Sequence, residues 1–275
     1  MRTLAHLSDL HFGRINPKLL EPLRSAVHAT APDLIAISGD FTQRARHSEY
    51  RDARAFLDSL HAPKLLVPGN HDVPLWNVAA RFFTPLARFK AHISTELEPE
   101  YHDEEMLVVG INTARSLTWG EGRVNERQVD RIVKRLSGTP ASVIRVVVTH
   151  HPFDLPPRVR ERRLLGRARM AMAKLARVHA DLFLSGHLHL SHASHSVERY
   201  RIAGHSALIV QAGTVSNRGR GEQPSFNILR MERPRIELLR FVWDATLARF
   251  APASVARYRH TESGWVSDDV SSSGR

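Results

Sequence analysis

The segment Leu65-Leu66-Val67-Pro68-Gly69-Asn70-His71-Asp72 joins a short apolar run to a turn that carries an amide, an imidazole and a carboxylate. A short apolar run bounded by turn residues predicts a buried strand. Gly69 permits a sharp turn and a close backbone approach, so the polar side chains directly follow the strand end. In open α/β sheets, ligands bind outside the carboxyl ends of the strands. The segment therefore predicts an α/β fold with a functional site at that edge.

Four other segments repeat this arrangement of an apolar run followed by Asp or His. They are Ser8-Asp9-Leu10-His11, Ser38-Gly39-Asp40, Thr149-His150-His151-Pro152 and Ser185-Gly186-His187-Leu188-His189. Residues two apart in an extended segment point to the same side, so Asp9 and His11 form one pair, and His187 and His189 form another. Five strand ends of this kind predict one crevice lined by Asp, Asn and His.

Strands alternate with amphipathic helices in the first half of the chain, which predicts βαβ units and parallel strands. Strands are predicted at Thr3–Ser8, Leu34–Ser38, Leu65–Val67, Met106–Ile111, Val143–Val148, Leu182–Leu184, Ala207–Val210, Phe226–Met231 and Ile236–Val242. Helices are predicted at Pro17–Ala29, His47–Leu60, Glu126–Leu136 and Glu161–Val178. The last strands have few helices between them, so we expect the final third to be more antiparallel. A single domain over residues 1–266 and a flexible polar tail over residues 267–275 are predicted.

The composition restricts the chemistry and the partners of the protein. The chain of 275 residues contains no cysteine, which excludes disulfides, thiolate catalysis and zinc–sulfur sites. We expect a cytoplasmic protein, because neither a signal-peptide pattern nor a membrane-spanning apolar run is present. The formal net charge of +11 favours binding to phosphates, nucleic acid or an anionic membrane surface, including peripheral binding at the inner membrane. The oligomeric state cannot be derived from these features.

The polar residues at the strand ends are suited to metal binding. Carboxylate, amide and imidazole groups together offer mixed oxygen and nitrogen ligands, which fit Mn, Fe or Zn. There are too many of these groups for one ion and about the right number for two. Two ions roughly 3.5–4 Å apart can act together in phosphoryl transfer. The sequence therefore predicts two divalent metal ions as cofactors.

The ordered set of motifs resembles the calcineurin-like metallophosphoesterase superfamily over residues 3 to about 215. The matching motifs are Asp9-x-His11, Gly39-Asp40, Gly69-Asn70-His71-Asp72, His150 and Gly186-His187-x-His189. The resemblance implies a four-layer α/β/β/α sandwich, with two mixed β-sheets flanked by helices. It also implies a ligand for one or both ions at each motif. Asp9, His11 and His189 would hold the first ion, Asn70, His150 and His187 the second, and Asp40 would bridge them.

The resemblance assigns His71 a role that does not involve metal binding. It would contact the scissile phosphate and protonate the leaving oxygen, and Asp72 is expected to orient it. A water or hydroxide that bridges the two ions would attack phosphorus in line with the leaving group. The residues predicted to contact the substrate are Asn70, His71, His151 and Arg115.

The motifs predict a dinuclear metal-dependent phosphohydrolase, and most closely resemble the bacterial cyclic-nucleotide phosphodiesterase branch. The expected substrate is a small anionic phosphodiester, such as a 3′,5′-cyclic nucleotide. Two alternatives remain open, a pyrophosphohydrolase of the UDP-2,3-diacylglucosamine type and a nuclease. A nuclease predicts strong salt dependence, whereas a lipid enzyme predicts membrane association. A non-catalytic scaffold is disfavoured, because scaffold relatives tend to lose ligands and every expected ligand is present here.

An arginine-rich segment at Pro156–Val178 supports two hypotheses. Its arginines are Arg158, Arg160, Arg162, Arg163, Arg167 and Arg169, interleaved with Leu and Met. One hypothesis is an amphipathic helix whose arginines face solvent. The other is a basic flap near the metals that holds an extended anionic substrate or an anionic lipid surface. Sequence alone does not decide between them.

Overall fold

The computed structural model describes residues 1–116, 120–157 and 159–268, which form thirteen strands and seven α-helices. The strands are β1 (Arg2–Leu7), β2 (Leu34–Ile37), β3 (Lys64–Leu66), β4 (Glu100–His102), β5 (Met106–Ile111), β6 (Ile144–Thr149), β7 (Leu182–Ser185), β8 (His192–His195), β9 (Leu208–Gln211), β10 (Ser225–Glu232), β11 (Arg235–Asp244), β12 (Arg249–Thr261) and β13 (Gly264–Ser267). The helices are α1 (Leu20–Ala29), α2 (His47–Asp58), α3 (Val78–Phe83), α4 (Ala87–His92), α5 (Glu126–Ser137), α6 (Ala168–Ala176) and α7 (Ser196–Tyr200). Short 3₁₀ turns occur at Pro17–Leu19, Asn70–Asp72 and Glu161–Arg163.

The strands form two mixed sheets. The first has the order β13-β12-β11-β10-β1-β2-β3, in which β1, β2 and β3 are parallel and the strands from β10 onward are antiparallel. The second has the order β4-β5-β6-β7-β9-β8, with a parallel centre and antiparallel edges at β4 and β8. The predicted antiparallel character of the last third is therefore confirmed.

Three apolar clusters hold the layers together. The middle cluster packs one face of the first sheet, including Leu4 and Leu34, against one face of the second, including Val108 and Val146. The two outer clusters cover the other faces with helices. Val27 of α1 and Tyr50 of α2 lie in the outer cluster of the first sheet, while Val129 of α5 and Met172 of α6 lie in that of the second. The predicted four-layer α/β/β/α sandwich is confirmed. Burial of apolar area is the main stabilising contribution in such layers.

The predicted helix at Glu161–Val178 is wrong over its first half. A 3₁₀ turn at Glu161–Arg163 is followed by non-helical backbone, and α6 begins only at Ala168. The Leu165 N–H donates to the Pro152 carbonyl and the Gly166 N–H donates to the Gly122 carbonyl. These tertiary hydrogen bonds replace the helical ones, and Arg167 then adopts a left-handed conformation with φ of 68°.

Several short or exposed elements were not predicted. They include α3, α4, α7, β4 and β8, as well as the long outer strand β12. Most residues in the middle of β12 are exposed, so it lacks the short buried run that marks the other strands. Ser267 ends β13, and Asp268 accepts a hydrogen bond from the side chain of Arg259. The rest of the predicted tail lies outside the described residues, and the single domain over residues 1–266 stays a prediction.

Candidate metal centre

The carboxyl ends of strands from both sheets meet in one crevice. Asp9 follows β1, Asp40 follows β2, and the 3₁₀ turn at Asn70–Asp72 follows β3. From the second sheet, His150 follows β6 and His187 follows β7. The two sheets pack face to face with these ends on the same side, so the predicted convergence of the five motifs is observed.

The backbone around these residues is strained in a consistent way. Five of the predicted ligands have a positive φ in the left-handed region, where non-glycine residues are uncommon. They are Asp9 (55°), His11 (48°), Asp40 (55°), His187 (71°) and His189 (59°). A left-handed residue costs roughly 1–2 kcal/mol relative to the right-handed conformation. Strain of this kind is concentrated at functional sites, where the surrounding structure over-determines the geometry.

Gly69 and Gly186 allow the backbone to approach side chains of the crevice closely, as predicted from the turns in which these glycines lie. A Cβ on Gly186 would lie 1.7 Å from the Oγ atom of Ser8 and 2.5 Å from Oδ2 of Asp9. A Cβ on Gly69 would lie 2.1 Å from Oδ1 of Asp40. Any side chain at either position would displace a carboxylate of the crevice.

A first cluster of donor atoms contains Asp9, His11 and His189. The Nε2 atoms of His11 and His189 are 3.1 Å apart, and Oδ1 of Asp9 lies 3.5 Å and 3.1 Å from them respectively. All three side chains are buried. Burial opposes ionisation of Asp9, but His189 and His11 hold its pKa well below the usual range. The cluster is therefore an ionised carboxylate facing two imidazole nitrogens.

A second cluster contains Asn70, His150 and His187. Oδ1 of Asn70 lies 3.0 Å from Nε2 of His150 and 3.0 Å from Nδ1 of His187. Burial lowers the pKa of His187 to about 3, so this ring is neutral and able to act as a ligand. Burial also opposes protonation of His150, but the charge of Asp40 raises its pKa to about 9. A cation at this position would replace the proton that His150 otherwise holds.

Asp40 lies between the two clusters. Its Oδ2 atom is 3.7 Å from Nε2 of His11 and 3.3 Å from Nε2 of His150. One carboxylate oxygen therefore faces a donor atom of each cluster, a position suited to a ligand that two ions share.

These donor atoms fit divalent cations. Oδ1 of Asp9 is buried and has no hydrogen-bond partner among the described residues. Carboxylate and imidazole atoms lie within 4.8 Å of one another in each of two groups, Asp9, His11, Asp40 and His189, and His150, His151 and His187. Backbone carbonyls orient two of the imidazole rings. Nδ1 of His150 donates to the carbonyl of Ser38, and Nδ1 of His189 donates to the carbonyl of Arg218. Such a set of acceptors is stabilised by positive charge.

His71 faces the same crevice from the first sheet. Its backbone N–H donates to Oδ1 of Asp40 at 2.8 Å, and its Nδ1 donates to the carbonyl oxygen of Gln43 at 2.8 Å. The remaining ring nitrogen, Nε2, lies 3.3 Å from Nη1 of Arg218. His71 thus presents one nitrogen of a fixed ring to the crevice.

The prediction that Asp72 orients the His71 ring is wrong. The carboxylate of Asp72 turns away from the crevice and accepts hydrogen bonds from the backbone N–H groups of Gly69, Phe41 and Thr42. Successive side chains of a 3₁₀ turn point in different directions, so Asp72 cannot follow His71 toward the pocket. Asp72 fixes the loops after β2 and β3 to each other, and the carbonyl of Gln43 orients the imidazole.

The two other predicted substrate contacts lie outside the open pocket. His151 is buried behind the second cluster, where its Nδ1 pairs with Oγ1 of Thr113 at 2.8 Å and its ring packs against that of His187. The guanidinium of Arg115 donates to Oε1 of Gln128 and to backbone carbonyls, away from the crevice. Neither placement supports a direct contact with substrate.

A pocket of about 260 Å³ opens over the donor atoms. Asp40, Asn70, His71, His187 and His189 line its base. Five arginines line the rest, namely Arg44, Arg81, Arg163, Arg218 and Arg220. Only Arg163 belongs to a segment singled out in the sequence. Arg218 and Arg220 follow β9 in a loop with three glycines, and a loop of this composition after a parallel strand is the sequence signal that could have identified them.

The arginine-rich segment only partly fits either hypothesis. Nη1 of Arg163 lies 3.5 Å from Nε2 of His187, so this arginine reaches the donor atoms. The other described arginines of the segment point to solvent; they are Arg160, Arg162, Arg167 and Arg169. Arg158 lies outside the described residues. Within the described part of the chain, no helix has the length and apolar character needed to cross a membrane.

Comparison with known proteins links this site to an enzyme family. The family model described as calcineurin-like phosphoesterase matches residues 2–191. The glycerophosphodiester phosphodiesterase GpdQ of Enterobacter lignolyticus is 39% identical over 25% of this chain and 29% of its own length. A protein named as a probable cyclic nucleotide phosphodiesterase from Synechococcus is 24% identical over 54% of this chain and 58% of its own length. The matched regions thus span less than two thirds of either relative.

A solved structure has the same fold. The dimetal phosphatase from Danio rerio aligns with a TM-score of 0.62 over 86% of this chain and 95% of that protein, at 13% sequence identity. At such low identity the likeness concerns the arrangement of the sheets and helices. It agrees with the two mixed sheets and flanking helices described above.

Proposed function

We propose that this chain, which belongs to the calcineurin-like phosphoesterase family, hydrolyses small anionic phosphodiesters with two divalent metal ions. The observation that carries the proposal is the position of Asp40. Its Oδ2 atom faces a donor atom of each of the two ligand clusters, at 3.7 Å and 3.3 Å. A carboxylate shared in this way suits a pair of ions better than a single ion.

The proposed ligands follow the two clusters. Asp9, His11 and His189 would hold one ion, and Asn70, His150 and His187 would hold the other, with Asp40 between them. The ligand types suit Mn, Fe or Zn. When bound, two such ions supply Lewis-acid charge that lowers the pKa of a water molecule and neutralises phosphoryl oxygens.

His71 is the proposed proton donor to the leaving oxygen. The carbonyl of Gln43 fixes the proton on Nδ1, so a second proton on the ring resides on Nε2, which faces the pocket. General acids of this type contribute about 10²–10⁴-fold to the rate. Proton donation matters most for an alkoxide leaving group, which is a poorer leaving group than a phenolate.

Other side chains are suited to binding the phosphoryl group. Oδ1 of Asn70 faces His150 and His187, which leaves its amide NH₂ to donate to a substrate oxygen. The guanidinium groups of Arg163 and Arg218 lie beside the donor clusters and can form charge-assisted hydrogen bonds to the non-bridging oxygens. These contacts would orient the diester at the metal centre.

The names of the relatives favour a diester over a monoester as the substrate. One curated relative is named as a glycerophosphodiester phosphodiesterase and the other as a probable cyclic nucleotide phosphodiesterase. We therefore propose a small diester, with a 3′,5′-cyclic nucleotide as the first to be tested. A UDP-linked lipid and plasmid DNA represent the pyrophosphohydrolase and nuclease alternatives.

The test compares bis-p-nitrophenyl phosphate with p-nitrophenyl phosphate, each with manganese and with a chelator. Chelator-sensitive hydrolysis that favours the diester is expected. Cyclic AMP, a UDP-linked lipid and plasmid DNA are then compared at two salt concentrations. A protein that binds two equivalents of metal but prefers the monoester would contradict the diesterase proposal, and a protein that binds no metal would contradict the metal centre.

A further inference from the structure

Within the described part of the chain, four arginines at the pocket have no acidic partner, unlike several arginines elsewhere in the protein. Arg131 pairs with Glu98, Arg135 with Glu100 and Arg240 with Glu222. In contrast, the guanidinium groups of the four pocket arginines have no carboxylate within salt-bridge distance among residues 1–116, 120–157 and 159–268. These arginines are Arg44, Arg163, Arg218 and Arg220.

The four arginines form an inner and an outer pair. Arg163 and Arg218 are half-buried, and each has a guanidinium nitrogen within 3.5 Å of a ring nitrogen of a proposed ligand, His187 or His11. Arg44 and Arg220 line the same pocket but are exposed at its rim. The inner pair is therefore close enough to bind the scissile phosphate, whereas the outer pair is available for another group.

Hydrogen bonds to the backbone hold the loops that carry the outer pair. The backbone N–H of Arg44 donates to Oε2 of Glu49 at 2.8 Å, which anchors the loop after β2. The carbonyl of Arg218 accepts a hydrogen bond from Nδ1 of His189 at 2.9 Å, which anchors the loop that continues to Arg220. The two outer guanidinium groups thus extend into the same pocket from loops that hydrogen bonds hold in place.

Arg81 is the fifth arginine at the pocket and has a different role. Its guanidinium donates to the carbonyls of Ser116 and Pro74, at 2.8 Å and 3.2 Å. These bonds attach α3 to the loop after β5. The guanidinium of Arg81 therefore has a structural role and is not part of the proposed anion-binding group.

The excess of positive charge in the pocket favours binding of more than one anionic group. Asp40 is the only carboxylate among the described residues that line it, and Asp9 lies buried beneath. Two divalent ions would neutralise these carboxylates and leave the guanidinium charges unbalanced. A phosphodiester carries a single negative charge, which the ions and the inner arginines already bind. Guanidinium groups match phosphate geometry with paired hydrogen bonds.

We propose that Arg44 and Arg220 form a subsite for a second phosphate group of the substrate, separate from the ester that is cleaved. The substrate class is therefore a phosphodiester that also carries a phosphomonoester or pyrophosphate group. This inference rests on the proposed phosphodiesterase function, because the cleaved group must occupy the metal centre for the second phosphate to reach the rim.

The test uses two probes that differ by one phosphate. Thymidine 5′-(p-nitrophenyl phosphate) has only the cleavable diester, and its 3′-phosphorylated derivative adds a phosphomonoester to the same nucleoside. The wild-type protein should have a kcat/KM about ten-fold or more higher for the 3′-phosphorylated probe, because the two guanidinium groups would form charge-assisted hydrogen bonds to the added phosphate. Arg220→Ala and Arg44→Ala should each reduce this ratio, and the double variant should bring it close to one.

The ratio of the two probes cancels any effect on folding or metal loading. Arg127→Ala is the matched control, since it removes an exposed arginine from the first turn of α5, far from the pocket, and should keep the wild-type ratio. Inhibition of bis-p-nitrophenyl phosphate hydrolysis provides a second measurement. Thymidine 3′,5′-bisphosphate should inhibit the wild type more strongly than thymidine 5′-phosphate, and the double variant should lose this difference.

The results distinguish this inference from the proposed function. A protein that hydrolyses bis-p-nitrophenyl phosphate but shows no preference for the second phosphate, in turnover or in inhibition, overturns the subsite. A preference that persists in the double Arg44→Ala, Arg220→Ala variant also overturns it. A metal-loaded protein that hydrolyses no diester contradicts the proposed function instead.

Discussion

The Oδ1 atom of Asp40 accepts a hydrogen bond from the backbone N–H of His71 at 2.8 Å, while Oδ2 of the same carboxylate faces both ligand clusters. The proposed bridging ligand and the proposed proton donor are therefore joined by one hydrogen bond. Any change in the position of the Asp40 carboxylate will move the turn that carries His71. Metal binding and placement of the proton donor are expected to depend on each other.

Asp40→Asn separates these two functions of the carboxylate. The variant can keep the hydrogen bond from His71 through its amide oxygen, but it replaces the oxygen that faces both clusters with an NH₂ group. We expect it to retain less than two equivalents of metal after dialysis, measured by elemental analysis, and to lose turnover by about 100-fold or more.

Asp52→Asn is the control for this variant, because Asp52 is an exposed carboxylate on α2 and should keep both metal and activity. An Asp40→Asn protein that retains two ions and full activity would rule out the bridging role.

His71→Ala tests the proton donor. His71 donates its hydrogen bond to Asp40 from its backbone N–H, which alanine retains, so the variant should bind both ions. Loss of a general acid lowers turnover by about 10²–10⁴-fold. The loss should be larger for a diester with an alkyl leaving group than for bis-p-nitrophenyl phosphate, because nitrophenolate leaves without protonation.

His102→Ala is the matched control, since His102 is exposed on β4 and remote from the crevice. Equal losses for the two leaving groups would argue against proton donation and favour a role for His71 in binding.

Sequence patterns predicted the short buried strands, and the polar motifs that follow these strands predicted the site. Met106–Ile111 was predicted with the bounds observed for β5, and the motifs after the strands do converge in one crevice. This succeeded because a buried strand needs a continuous apolar run, and because parallel strands bring their carboxyl ends together.

What the sequence did not predict depends on tertiary hydrogen bonds. The break in Glu161–Val178 arises from hydrogen bonds to Pro152 and Gly122, which no local pattern encodes. Asp72 binds backbone N–H groups of two loops, a role that spacing from His71 cannot indicate. Arg218 and Arg220 reach the pocket through an irregular loop, for which periodicity gives no information.

Gly186→Ala tests the close packing beneath the metal centre. The added Cβ would lie 1.7 Å from Oγ of Ser8, so the loop after β7 must move. We expect a loss of roughly 1–3 kcal/mol in the free energy of unfolding of the metal-free protein, measured with urea. Metal affinity should also fall, because His187 and His189 belong to the same loop.

Gly138→Ala is the control, because a Cβ at that position meets nothing within 4 Å and Gly138 has a φ of −85°. A Gly186→Ala variant as stable as Gly138→Ala would show that this packing is not required.

Asp154→Asn tests an ion-pair network that lies outside the metal centre. Asp154 is buried, and its carboxylate accepts hydrogen bonds from Ser194 and Arg199, with His192 at 3.6 Å. Burial opposes ionisation, but His192, Arg199 and Ser194 hold the pKa of Asp154 well below the usual range. The ionised carboxylate thus stabilises the folded state.

The sign of the pH dependence follows from this lowered pKa. A carboxylate with a depressed folded-state pKa contributes its full stability above the unfolded value of about 3.9, and this contribution is lost as the pH falls toward the folded value. At pH 7, Asp154→Asn should reduce the free energy of unfolding of the metal-free protein by about 2 kcal/mol. As the pH falls below about 3.9 the difference from wild type should shrink, because the unfolded chain then takes up a proton that the folded carboxylate does not.

Asp58→Asn provides the comparison, because Asp58 forms an exposed ion pair with Arg54 and exposed pairs contribute little to stability. Urea denaturation of the metal-free wild type and both variants at pH 7, 5 and 3 measures the effect without the contribution of metal binding. A deficit for Asp154→Asn that stays constant over this range would mean that packing or hydrogen-bond geometry, rather than the carboxylate charge, stabilises this part of the fold.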